Sequence, residues 1–133
     1  MSDMPTPFDA ATIEQLGRVR EVELETTAPD GVTTHRTIIW VVVVGELAFV
    51  RSEFAESGRW YREARARPEV ILHAEGTAIP VTAVLVSDTD TIDQVSDAYR
   101  KKYGTYSPAS TEAMVAPSTL EYTLRLDARD TSA

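Results

Sequence analysis

The sequence predicts a mainly β domain in which six antiparallel strands close into a small barrel, with three helices inserted between them. Three observations carry that reading. The run Ile38–Val44 is apolar on both faces, with Trp40 followed by four consecutive valines, and such a strand has to be covered on both sides. Turn signals at Pro29-Asp30-Gly31, Gly45-Glu46 and Gly76 separate short apolar or alternating stretches, so strands adjacent in the chain are adjacent in space. One long segment, Thr89–Tyr103, has a helical period instead of a strand period.

Taken in order, Met1–Pro5 reads as a flexible tail. Thr6-Pro7 is a helix start, with Thr6 as cap and Asp9 in the first turn, and Gly17 closes that helix. From Arg18 to Thr27, Val22 and Leu24 alternate with Glu21, Glu23 and Glu25, as in a half-exposed strand. The next strand is expected over Val32–Val44, and Leu47–Val50 follows as an apolar strand ending in Arg51-Ser52. A short basic and aromatic helix starts near Ser57-Gly58. Val70–Ala74 and Ala78–Val86 are the next strands, and Pro80 places the latter on an edge or at a bulge.

Asp88, Asp90 and Asp93 crowd the start of the Thr89–Tyr103 helix, and Arg100, Lys101 and Lys102 crowd its end, matching the helix dipole. Thr105–Ser118 is expected to be a loop with at most one turn of helix. Leu120–Asp127 alternates, with Leu120, Tyr122, Leu124 and Leu126 inward, and residues 128–133 form a second tail. No repeat or linker divides the 133 residues, so a single domain is expected.

Composition narrows the function. There is no cysteine, hence no thiol nucleophile and no disulfide framework. The formal net charge of −8 argues against nucleic-acid binding. No apolar run is long enough to cross a bilayer, and residues 1–8 lack the marks of a signal peptide, so a cytoplasmic protein without membrane attachment is expected. His35 and His73, the two histidines, have no metal-ligand spacing.

The charge is uneven. Five of the 13 basic residues, all arginines, lie in residues 51–67 against Glu53, Glu56 and Glu63. Arginine's planar fork suits phosphate and carboxylate, although a solvated helix face also explains the run. Trp60-Tyr61 sits beside those arginines, either as core packing or as a shelf for a flat ring. No residue stands out as a general base or nucleophile, and Ser52 lacks a triad context.

The order of hairpin, strand end "VRS", helix "GRWY", strand "RPEVILHA", alternating strand and helix end "AYRKKYG" resembles the split β-barrel flavin and deazaflavin oxidoreductases. That superfamily includes the pyridoxamine phosphate oxidase-like proteins. Within it, the chain is similar to the deazaflavin-dependent nitroreductase branch and to a family of short bacterial split-barrel proteins. The resemblance spans roughly residues 18–128 and is most specific from Phe49 to Val70.

It implies a homodimer that binds FMN or a deazaflavin coenzyme and transfers a hydride to or from a small organic substrate. It also implies that Arg36, Arg51, Ser52 and Arg59 hold the phosphate side, that Trp60 and Tyr61 border the ring, and that Tyr99 and Tyr103 line the substrate pocket. Pro29-Asp30-Gly31 stands where that branch carries a Lys-Ser-Gly stretch, and Ile39 and Glu63 replace a proline and an asparagine. These departures keep a second expectation open: a non-catalytic split-barrel binding module without coenzyme use.

Overall fold

The structure, a computed structural model, describes residues 5–129. The expected tails over residues 1–4 and 130–133 lie outside that range. Seven strands form one antiparallel sheet: β1 (Val22–Thr27), β2 (Thr34–Ile39), β3 (Val42–Val44), β4 (Leu47–Arg51), β5 (Glu69–Ala74), β6 (Thr77–Leu85) and β7 (Thr123–Ala128). Their order is β2-β1-β5-β6-β7-β4-β3. The two strands at the ends of that order, β2 and β3, are consecutive in the chain and separated only by Trp40 and Val41. The sheet therefore curls round into a split barrel.

The seventh strand arises from the expected Val32–Val44 strand, which is broken in two. Its first half ladders with β1 through pairs such as Glu25↔Arg36, and its second half with β4 through Val43↔Ala48. At the break the backbone needs other partners, and helix α3 (Thr89–Tyr103) supplies them. The Tyr99 hydroxyl donates to the Trp40 carbonyl (3.4 Å), Val41 N–H donates to the Tyr103 hydroxyl (3.3 Å), and Lys102 Nζ donates to the Val41 carbonyl (2.6 Å).

Cover on both faces holds from Val41 onward. Val41, Ala48 and Val50 face the barrel interior, while Val42 and Phe49 pack outward under α3 with Ile92, Val95, Tyr99 and Tyr103. It fails for Ile38, which is 61% exposed because β2 is an edge strand with no helix over it.

Several local expectations change. Helix α1 runs over Ala10–Arg18, because the Asp9 carboxylate accepts the Thr12 N–H and so caps it. Gly17 stays inside that helix instead of ending it. Pro80 lies in a central strand, yet the β6–β7 ladder stops at Val81↔Ala128, and the Pro80 carbonyl takes the Arg129 N–H beyond it. Its missing donor therefore falls where the ladder has ended.

The expected loop after Gly104 contains helix α4 (Pro108–Met114) and a 3₁₀ segment, Pro117–Tyr122. Leu120 and Tyr122 consequently precede β7 instead of alternating within it, and Thr123 and Asp127 are buried despite their expected outward side. Ala128, expected in a tail, closes β7 and donates to the Thr6 carbonyl.

Candidate functional site

Past the strand break, β2 leaves with β1 while the end of β4 pairs with β7 through Arg51↔Thr123. A groove of about 710 Å³ opens between them. Thr37–Trp40 form one wall, Glu53 and Phe54 with Gly58, Arg59 and Trp60 form another, and Tyr106 and Met114 close the far side over Arg51.

The second wall is built from the strand end. Ser52 N–H donates to the Tyr122 carbonyl, and its hydroxyl donates to Ala55 O at 2.8 Å, curling the chain through Ala55, whose φ is +54°. Helix α2 (Arg59–Ala66) then starts directly beside that strand end. A Cβ on Gly58 would sit 2.7 Å from the Ser52 hydroxyl oxygen, so only glycine permits this approach. As N-cap, Gly58 contributes no side-chain acceptor, which leaves the first-turn N–H groups of α2 open to an anion.

Of the residues expected to form the site, Arg59 and Trp60 line this groove, and Arg51 forms its floor. Arg59 is exposed and, among the described residues, has no carboxylate within 4.0 Å. It also borders a second groove of about 650 Å³ shared with Arg62 and Arg67. Glu63, the acid of that second groove, is turned inward: the Thr26 hydroxyl donates to it at 2.7 Å and His35 Nδ1 lies 3.1 Å away. Burial pushes the Glu63 carboxyl up, but these two bonds and the neighbouring His35 and Arg59 charges bring it below its ordinary value.

Arg51 is not free to grip a phosphate. It is 1% exposed, and its guanidinium donates to Thr123 Oγ1, Ser96 Oγ, Met114 O and Ile92 O. It ties β4 and β7 to α3 and the end of α4, and burial pulls its pKa down. Ser52 is equally buried and shapes the loop. Tyr61 turns away from the groove, edge-on to Tyr122 with centroids 5.3 Å apart. Arg36 lies on the open outer face of β2, where it meets Glu23 at 3.3 Å and the ring of His73.

Tyr99 and Tyr103 require a correction as pocket residues. Both are essentially unexposed and belong to the outer core, because their four-residue spacing puts them on the buried face of α3. Tyr106, beyond the helix end, is the tyrosine that reaches the groove; Arg20 lies 3.7 Å over its ring. Sequence reasoning missed Thr37 and Phe54 as groove residues, and neither carried a signal. Gly58 was expected at the start of the short helix, marked by a glycine directly before Arg-Trp-Tyr.

The acid in the first hairpin turn, Asp30, is held as a carboxylate by local hydrogen bonds. Asp30 accepts from the Thr33 hydroxyl and from the N–H groups of Val32 and Thr33, which lower its pKa to about 2. Among the described residues no group of three or more His, Asp or Glu is arranged to hold a metal ion. No described helix is long and apolar enough to cross a membrane.

A curled antiparallel sheet with this groove in its opening defines a split-barrel protein, and solved structures share the fold. A conserved hypothetical protein from Mycobacterium tuberculosis superposes with a TM-score of 0.63 at 16% identity, over 98% of this chain and 86% of that one. HutZ, the heme storage protein from Vibrio cholerae, gives 0.63 at 13% over 94% and 92%. An F420-H2 dependent reductase gives 0.62 at 14% over 80% and 93%. The chain belongs to the family described as "Uncharacterized protein conserved in bacteria (DUF2255)", whose pattern matches residues 12–126. No curated protein is matched by its sequence.

Proposed function

We propose that the groove binds a flavin-type coenzyme, FMN or a deazaflavin, and that the chain works as a homodimeric oxidoreductase on a small organic substrate. One observation carries this reading. The groove combines apolar and aromatic walls, from Ile38, Phe54, Trp60 and Tyr106, with the uncapped start of α2 and with Arg59, which has no carboxylate partner among the described residues. A planar ring ending in a phosphate needs both halves of that arrangement. The F420-H2 dependent reductase, with the same barrel, supports it.

The bound ring would supply the hydride chemistry. The residues of this chain would place it: Arg59 and the first-turn N–H groups of α2 would hold the phosphate, and the aromatic rim would exclude water. Ile38, Phe54 and Tyr106 are large and exposed together around the groove mouth, a patch that a second copy would cover.

Thermal melting with FMN and with a deazaflavin coenzyme tests the reading. A ligand at about 100 times its dissociation constant adds roughly 2.7 kcal/mol, which raises the midpoint by several degrees for a domain of this size. No shift with either coenzyme would refute it. A second reading, a binding module without turnover, draws on the heme storage protein that shares the barrel; coenzyme binding without oxidation of the reduced form by any acceptor would favour it.

A further inference from the structure

The lining of the groove includes two buried polar groups whose hydrogen-bonding capacity the fold does not exhaust. Thr37 Oγ1 is buried and has no hydrogen-bond partner; among the described residues it is the one buried side-chain nitrogen or oxygen in that state. Valine has the same shape and suits a strand at least as well, so packing does not explain the hydroxyl.

The second group is Arg51. A guanidinium has five N–H donors, and four of them go to Thr123, Ser96, Met114 and Ile92, leaving one on Nη2. All four acceptors are neutral, and no carboxylate of the described residues lies within 4.0 Å. A buried charge without a counterion makes the space beside it favourable for an electron-rich group.

We infer that Thr37 and Arg51 form a recognition floor for the carbonyl-bearing edge of a planar heterocycle, with the Thr37 hydroxyl donating to a ring oxygen or nitrogen. This deepens the coenzyme reading above and rests on it: flavins and deazaflavins present such a dione edge. Thr37 is then a positioning and specificity residue for the ring, as Arg59 is for the phosphate. The positive charge of Arg51 favours the form of the ring that carries more negative charge at that edge.

The test uses the full chain and the variants Thr37→Val and Thr37→Ser, with FMN, riboflavin and a deazaflavin coenzyme titrated by fluorescence and the ligand-free midpoint measured alongside. Thr37→Val is expected to leave the ligand-free midpoint unchanged or raised, while binding weakens about tenfold, the loss of one hydrogen bond. FMN and riboflavin should suffer alike, because the contact is to the ring. Thr37→Ser, which keeps the hydroxyl, should bind within about threefold of the original chain. Unchanged affinity in Thr37→Val, with the original chain binding, would overturn this inference alone. A lowered ligand-free midpoint with unchanged affinity would overturn it too, by showing an internal partner for the hydroxyl. Failure of the original chain to bind any of the three would overturn the coenzyme reading and the floor assignment together.

Discussion

Trp40 and Tyr103 lie ring on ring, with centroids 3.9 Å apart and planes 2° from parallel. Trp40 stands at the break between β2 and β3 and borders the groove, whereas Tyr103 is on the last turn of α3. The stack therefore couples the helix to the place where the barrel splits. The Tyr103 hydroxyl completes the link, donating to the Arg20 carbonyl (2.6 Å) and accepting the Val41 N–H. Tyr103→Phe keeps the stack but strands both backbone groups, and should cost about 1–3 kcal/mol in denaturant unfolding. Tyr103→Ala loses the ring as well, and should cost about 3–5 kcal/mol.

The same hydroxyl gives a pH dependence. Burial raises the pKa of Tyr99 and Tyr103 well above the usual tyrosine value. A group whose folded pKa is raised contributes stability that is complete below its unfolded pKa, about 10, and is lost as the pH rises beyond it. The melting midpoint should fall steeply above about pH 10, and Tyr103→Phe should flatten that fall. An equal slope in the variant would show that Tyr103 contributes none of it.

At the acid end, Glu63 works in the opposite direction. Its folded pKa is lowered, so its contribution is present above the unfolded value, about 4.3, and disappears as the pH falls below it. Glu63→Gln keeps the size but removes the charge facing His35, so the difference in midpoint between the two proteins should shrink from pH 7 towards pH 3. A constant difference across that range would sink the assignment.

Arg51 holds the fold together whether or not a ligand is bound. Arg51→Met leaves the Thr123 and Ser96 hydroxyls and the Ile92 and Met114 carbonyls without their donor. Unfolding free energy should drop by about 3 kcal/mol or more, measured without any ligand. A variant of near-original stability would show that these bonds contribute little.

Arg59 should behave in the reverse manner. It is exposed and unpaired among the described residues, so Arg59→Ala should alter stability by no more than about 0.5 kcal/mol. FMN binding should weaken by roughly 10- to 100-fold, the range for a charge-assisted hydrogen bond. Riboflavin, which lacks the phosphate, should bind unchanged. Equal losses for both ligands would place Arg59 against the ring instead.

Much of this was legible from the chain. The period of the apolar residues, the turn glycines and the oppositely charged ends of Thr89–Tyr103 fixed most strands and the principal helix, because those signals act over a few residues. The start of α2 at Gly58 and the neighbouring Arg59 and Trp60 were local as well. The break at Trp40–Val41 was not. Its residues are as strand-favouring as their neighbours, and what interrupts the ladder is a set of bonds from Tyr99, Lys102 and Tyr103, about 60 positions away.

Burial and partner choice follow the same division. Sequence alone determined that Arg51 and Tyr103 are an arginine at a strand end and a tyrosine at a helix end. The tertiary structure decided that α3 closes over both, turning the arginine into a cross-link and withdrawing the tyrosine from the groove. Burial depends on which elements pack together, and that depends on every pairing in the barrel, so no window of sequence contains it.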